Sequence, residues 1–192
     1  MARNMTTVQN SSTIRFGSAK FEVGETEETL VDLGAMRGIA FEESWDERQI
    51  MSDNAGVISA GISNHTATIS GDLMEINLDN LHILRGGIDK LVDVPADQTA
   101  GTKAAKKLLS GGVSTFKPRV VKITNYNDKG EAFSITIFKA NSASGLNITF
   151  PEADGEDPAM TPIEMTGTLD TSKAVGEQLF EIYDEQGIVP TV

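Results

Sequence analysis

The 192-residue sequence contains no cysteine. Disulfide bonds, thiolate catalysis and cysteine-ligated metal sites are therefore excluded, and the composition is typical of a protein from a reducing compartment. Histidine is almost as scarce, and we expect His65 and His82 to be structural or solvent-facing rather than metal ligands. The sequence also lacks the nucleophile-elbow, dinucleotide-binding and phosphate-loop motifs. We therefore predict a protein that is not an enzyme and needs neither cofactor nor metal.

Positive charge is also in short supply. The chain has 16 lysine and arginine residues against 28 aspartate and glutamate residues, a formal net charge of −12. This balance argues against a general binder of nucleic acid or of anionic membranes. Residues 54–71 carry no charged side chain, but they are rich in Gly, Ser, Asn and Thr and cannot span a bilayer. No secretory signal is recognisable at the N-terminus, and we expect no membrane insertion.

What the sequence does contain is a series of alternating apolar and polar residues, which is typical of strands. Residues 36–47 predict a long strand with Ile39, Phe41 and Trp45 on one face and Glu42, Ser44 and Asp46 on the other. The best-defined hairpin combines the alternating residues 121–124 and 133–137 with a turn at Asn127–Gly130. Shorter strands are predicted around residues 14–23, 91–94, 146–150 and 163–169. Residues 54–65 fit either a hairpin that stands off the body or a loose surface loop.

One segment has both a start and a stop signal for a helix. Thr66–Ser70 reads as a strand that Gly71 ends, and Asp72 with Glu75 has the spacing of a capping box. Gly86-Gly87 is typical of a helix end, so about four turns of helix are predicted between them. Two further helical turns are predicted over residues 102–109, whereas residues 176–184 fit either a helix or a strand.

These elements predict a mainly β protein. We expect two antiparallel sheets that form a sandwich or small barrel, with one α-helix packed outside. Residues 1–12 are interpreted as a mobile N-terminal arm. Residues 13–192 are interpreted as one domain with long loops around residues 46–65 and 95–117.

Charge is unevenly distributed along the chain. Residues 22–48 hold nine acidic side chains and residues 152–192 hold ten, whereas residues 101–122 hold six basic side chains and no acid. A solvated surface is the ordinary interpretation of such segments. The functional interpretation is that the basic segment contacts an acidic patch on a neighbouring copy. The predicted contact residues are Lys103, Lys106, Lys107, Lys117 and Arg119.

The order of several short motifs resembles the tail tube proteins, or major tail proteins, of long-tailed bacteriophages. From about Val31 onward the resemblance rests on residues 33–38 (LGAMRG), 52–56 (SDNAG), Gly71, 84–87 (LRGG), 117–119 (KPR), 150–151 (FP), Pro162, 169–170 (LD) and 176–180 (GEQLF). None of these motifs is catalytic.

The resemblance implies a structural virion protein assembled in the host cytoplasm. It implies hexameric rings that stack into a tube, with a helix outside, inner strands joined around the ring, and double-stranded DNA passing through without specific binding. The other implied partners are the tape measure, tail terminator and distal tail proteins. An acidic wall would repel DNA, and the predicted lumen-facing residues are Glu42, Asp46, Glu164 and Asp170.

Three alternatives stay open at the level of sequence. The first is the inner tube protein of a contractile injection or secretion machine, which shares the architecture. The second is a soluble glycan-binding β-sandwich, which predicts a monomer with an exposed aromatic platform. The third is a hydrolase with paired carboxylates in a pocket, which leaves little trace in sequence.

Overall fold

The computed structural model describes residues 15–97, 101–112, 115–152 and 158–185, so the predicted arm over residues 1–12 lies outside the described residues. The described residues form one α-helix, one short 3₁₀ helix (Glu27–Thr29) and ten strands. In chain order they are β1 (Lys20–Gly24), β2 (Val31–Asp32), β3 (Met36–Ser52), β4 (Gly56–Leu73), α1 (Leu78–Leu84), β5 (Asp89–Val94), β6 (Ala105–Ser110), β7 (Arg119–Tyr126), β8 (Ala132–Ser142), β9 (Thr161–Gly167) and β10 (Phe180–Asp184).

The strands form two antiparallel sheets. The larger sheet has the order β2-β1-β7-β8-β9-β4-β3, and β10 pairs with β8 as an eighth strand. β5 and β6 form a separate two-stranded sheet. Two antiparallel sheets and a single helix confirm the predicted mainly β class, although the described residues of one chain do not close into a barrel.

Strand β8 joins the two halves of the larger sheet. One of its edges pairs with β7 along most of its length. Its other edge pairs first with β10, over residues 133–137, and then with β9, over residues 140–142. The sheet therefore places β1 and β7 on one side of β8, and β9, β4 and β3 on the other.

The core lies between these two halves. Val121 and Ile137 on one side and Ile69 and Met165 on the other are fully buried. Packing is tight at Gly167, because a Cβ atom there would lie only 2.7 Å from Cγ2 of Ile137. Leu81 and Leu84 add the apolar face of α1 to the same cluster.

The helix is shorter than predicted, and the N-cap at Asp72 is wrong. Residues up to Leu73 pair with both β3 and β9, so pairing on two edges continues the strand through Gly71. The helix begins after Asn77, whose side-chain oxygen accepts the backbone N–H of Asp79 at 2.9 Å. Tertiary pairing thus outweighs the local helix signal at Asp72 and Leu73.

Other predicted elements need correction as well. Residues 102–109, predicted as helical turns, include β6, because pairing with β5 outweighs the helix propensity of their Ala, Lys and Leu residues. The predicted loop around residues 46–65 is part of the paired hairpin of β3 and β4. Of the two interpretations of residues 54–65, the structure therefore has the hairpin. The predicted loop around residues 95–117 contains β6. Residues 146–150 form only an isolated bridge, Thr149 to Met160. The ambiguous segment 176–184 contains the strand β10.

Candidate subunit interface

The longest feature of the molecule is the β3–β4 hairpin. β4 pairs with β9 only from Thr68 to Leu73, so the hairpin beyond Thr68 has no third strand among the described residues. We call residues 43–67 the hairpin arm. An isolated two-stranded hairpin is marginally stable in water, so an arm of this length is typical of an element that docks on something else.

One face of the arm continues the face that is buried in the body. Register and alternation place Trp45, Met51, Val57 and Ile62 on the same side as the core residue Ile69. On the arm these four side chains are 53%, 70%, 49% and 65% exposed, respectively. We call this the core-side face of the arm. Burying a large apolar side chain contributes about 1.5–3 kcal/mol of stability. A partner that covers this face would therefore bind favourably.

The opposite face of the arm is mainly polar. Asp46, Arg48, Ser59 and Ser63 lie on it together with the exposed Ile50, and the exposed Ile58 is the extra residue at the second irregularity of the hairpin. The core-side face carries the larger apolar side chains, although Glu47 and Gln49 lie between them and no second layer covers this face in the described chain. It is therefore the better suited of the two faces to pack against protein.

A small cluster of side chains connects the arm to the body. Nε2–H of His65 donates to Oε1 of Glu43 at 2.6 Å. The His65 ring meets Trp45 and Phe180 edge to face, with centroids 6.0 and 6.4 Å apart, and Phe180 also meets Phe41 at 5.2 Å. Such ring pairs are worth about 0.5–1.5 kcal/mol beyond the area they bury. We call Phe41, Glu43, Trp45, His65 and Phe180 the arm joint.

Several strands have one edge without a neighbouring strand among the described residues, and β3 and β10 are the two that lie next to the arm joint. Within the described residues β3 pairs only with β4, and β10 pairs only with β8. β3 has 17 residues, so its outer edge is long. A long uncovered edge is a template for pairing with another chain.

The structure brings three of the four predicted lumen-facing acids onto one sheet face. Glu42, Asp46 and Glu164 all point away from the core, and cross-strand register relates the first to Thr68 and the last to Ser70. Asp170 is separated from them because it follows the end of β9. It lines a cleft of about 580 Å³ with Glu27, Phe138 and Lys173, among others. We call the face of Glu42, Asp46 and Glu164 the acidic face; its place in a bore stays a prediction.

Hydrogen bonds define the surroundings of Asp170. Its carboxylate accepts the hydroxyl of Ser172 at 2.8 Å and the backbone N–H of Ser172 at 3.1 Å. These two hydrogen bonds hold the pKa of Asp170 below its ordinary value. The carboxylate therefore caps a local turn, which is a structural role.

The predicted basic contact residues differ in their exposure and in their hydrogen-bond partners. Lys103 and Lys107 are exposed on or beside β6, and the exposed Lys117 precedes β7. Lys106 is bound to the carboxylate of Asp79 at 2.6 Å, and this hydrogen bond raises the pKa of Lys106. Contact of these four lysines with a neighbouring copy stays a prediction.

Arg119 is a clamp within the chain, contrary to the expectation that it faces a neighbour. It is only 6% exposed. Its Nε–H donates to the carbonyl of Ile83 at 3.0 Å, and its terminal nitrogen lies 2.7 Å from Glu25. The hydrogen bond and the positive charge of Arg119 lower the pKa of Glu25. Arg119 thereby ties the end of α1 to the start of β7.

Replacing Arg119 by methionine should destabilise the fold by about 1–3 kcal/mol, because its buried hydrogen bond to the carbonyl of Ile83 and its ion pair with Glu25 are lost. Urea unfolding followed by circular dichroism measures the change. Lys107→Met, which removes an exposed cation, is the control and should stay close to wild type. Equal stability of the two variants would remove the clamp role.

In the part of the chain that the structure describes, neither histidine belongs to a group of side chains that could bind a metal ion. His82 is hydrogen-bonded to the fully buried carboxylate of Asp89, which Arg85 also contacts. His65 belongs to the arm joint. Across the same described ranges, no helix combines the length and apolar character that a membrane crossing needs.

The exposed aromatic side chains that a glycan-binding module would need lie on two separate surfaces. Trp45 belongs to the hairpin arm. Tyr126 lies opposite Ala132 and Tyr183 lies opposite Ser134, so register places both on one face of β8. Phe180, a member of the arm joint, points to the opposite side of β10 from Tyr183. These aromatics therefore do not form a single three-ring platform.

Sequence reasoning missed the core-side face of the arm. Trp45 and Met51 occupy the same alternate positions as Phe41, but the polar Glu47 and Gln49 interrupt the apolar pattern between them. The opposing strand then enters a charge-free segment with Val57 and Ile62 at matching positions. Only the pairing register shows that these residues share one exposed face.

No protein-family model matches the sequence, and no curated protein matches it. Two solved structures show low similarity to the chain. The tube-terminating cap of the anti-feeding prophage is 13% identical, with a TM-score of 0.45 over 94% of this chain and 99% of that chain. A chain of the six-fold symmetrised anti-feeding prophage baseplate is 10% identical, with a TM-score of 0.42 over 80% of this chain and 91% of that chain. At these values the similarity carries no conclusion about function.

Proposed function

We propose that this chain is a structural subunit that assembles with its own copies into the tube of a phage-tail-like particle. The observation that carries the proposal is the exposed core-side face of the hairpin arm beside the uncovered edge of β3. Neither the exposed face nor the unpaired edge contributes to the stability of a monomer. A second copy, by contrast, can cover the face and extend the sheet.

The geometry of such contacts favours a ring. The arm and the surface it covers are different parts of the chain, so the contact is head-to-tail, and repetition with a fixed rotation closes a ring. Contacts along the axis do not close, so rings can stack. The resemblance to tail tube proteins suggests six subunits in each ring.

The acidic face would let DNA move through the proposed tube without binding to its wall. Glu42, Asp46 and Glu164 repel phosphates, so double-stranded DNA passes without being held. In such a particle the tube meets the tape measure, tail terminator and distal tail proteins at its ends and inside. The chain is then a virion component rather than an enzyme.

Electron microscopy of the purified protein over a range of concentrations tests the assembly. Negative staining should show hollow filaments or six-fold annuli at high concentration, with monomers on dilution. A compact monomer at every concentration, also within its native particle, would refute the proposal.

Reversing the acidic face should make assembled tubes retain DNA. In the triple variant Glu42→Lys, Asp46→Lys and Glu164→Lys, cationic side chains release counterions on binding phosphates. Wild-type and variant tubes are incubated with short duplex DNA, and the DNA that co-sediments is measured against salt. Variant tubes should retain DNA at low salt and lose it steeply as salt rises, whereas wild-type tubes retain none.

A second triple variant controls for the change in net charge. Glu28→Lys, Asp128→Lys and Glu177→Lys reverse three exposed acids outside the acidic face. If those tubes retain as much DNA as the first variant, the acidic face has no special position.

A further inference from the structure

Apart from Ala67 at its base, which is fully buried in the core, the hairpin arm makes few contacts with the body. Its two strands continue from β3 and β4, and among the described residues the last third-strand pair is Thr68 with Thr166 of β9. Beyond that pair, the ring contacts that reach the arm from another element come from Phe180 on β10. The direction of the arm therefore depends on a few contacts at its base.

The pairing of the two strands is interrupted at that base. Ser44 pairs with Thr66, but Asp46 pairs with Ser63, so β4 contains one additional residue in between. Asn64 in this bulge has a φ of 51°, and it is the only non-glycine residue with positive φ among the described residues. Its side-chain amide donates to Oδ2 of Asp46 at 2.7 Å. A bulge of this kind bends and twists a hairpin locally, so it is a position where the arm can pivot.

The arm joint lies across the bulge. His65, inside the irregular segment, donates to Glu43 on the opposite strand and contacts Phe180 on the body. Trp45 packs on the other side of the same ring. One imidazole thus links both strands of the arm to β10.

We propose that the bulge is a hinge and that His65 is the latch that holds the arm in one orientation. With the latch intact the exposed core-side face points in a defined direction. Without it the arm pivots while the body stays folded. This inference concerns the single chain and does not depend on the proposed tube.

Distances between two spin labels test the hinge directly. The chain has no cysteine, so Ala55→Cys at the arm tip and Lys129→Cys at the β7–β8 turn give one unique pair. All samples carry Met51→Ser and Ile62→Ser to keep the chain unassembled. Double electron–electron resonance then measures the tip-to-body distance in the monomer.

His65→Ala should broaden the distance distribution about twofold, because a two-stranded hairpin without support is marginal. Thr66→Ala is the matched control. Thr66 follows His65 and points to the opposite face of the hairpin, where its hydroxyl lies 3.0 Å from that of Ser44. Its substitution removes this contact and should leave the distribution narrow. Phe180→Leu keeps the apolar bulk but removes the ring contact from the body side, and it should broaden the distribution as well.

Urea unfolding of every variant shows whether the body is intact. An unchanged distribution in both His65→Ala and Phe180→Leu would overturn the latch, and so would equal broadening in Thr66→Ala. Failure of the protein to form tubes would leave these measurements unaffected. The hinge and the proposed function therefore fail separately.

Discussion

We expect the replacement of Met51 and Ile62 together by serine to weaken assembly strongly and to leave the fold intact. Both side chains are exposed in the single chain, so folding loses little when they become polar. In an assembled tube both side chains would be buried, and burial of each would stabilise the assembly by about 1.5–3 kcal/mol. Since about 1.4 kcal/mol corresponds to a factor of ten, the concentration needed for assembly should rise by roughly two to four orders of magnitude. Light scattering and negative staining over a dilution series measure that concentration.

The opposite face of the arm provides the control for this result. Ile50→Ser removes an exposed isoleucine of similar size from the polar side of the same hairpin. It should shift the assembly concentration much less than the double variant. Unchanged assembly of the double variant, or equal loss in Ile50→Ser, would show that the core-side face is not the interface.

Replacing Ile69 by alanine destabilises the monomer by about 2–5 kcal/mol, the usual cost of a cavity at a fully buried isoleucine. Ile69 is completely inaccessible to solvent and pairs with Phe41 on one side and Met165 on the other. Urea unfolding followed by circular dichroism gives the change in the free energy of unfolding.

Ile62→Ala is a matched control for this cavity. The residue has the same type, the same strand and the same face, but it lies on the hairpin arm. Its substitution should change the stability of the monomer by no more than about 0.5 kcal/mol. Together the two isoleucines separate folding from assembly. Equal destabilisation by both would mean that the arm belongs to the folded core.

Segments with strict alternation were predictable from the sequence. The strands β3, β7 and β8 and the turn at Asn127–Gly130 follow from local patterns that agree with the final pairing. The predicted helix start at Asp72 failed because β3 and β9 flank Asp72 and Leu73 and satisfy their backbone on both sides. Local propensity cannot register partners that are almost 90 residues away in the chain.

The candidate site was predictable only in part. Glu42 and Asp46 share a face because they are an even number of residues apart on one strand, and this periodicity is visible in the sequence. Asp170 lies beyond β9 and apart from the other three acids, because β9 ends at Gly167 and nothing local in the sequence shows that end. The exposed face of the arm and the burial of Arg119 depend on where the body ends, which is a property of the whole fold.

The double pairing of β8 has a consequence for how the molecule comes apart. Its eleven residues supply backbone partners to β7 along one edge and to β10 and β9 along the other. Departure of β8 would therefore remove backbone partners from both halves of the larger sheet at once. The hairpin arm has no pairing with β8, so we expect the arm to open without separating these two halves.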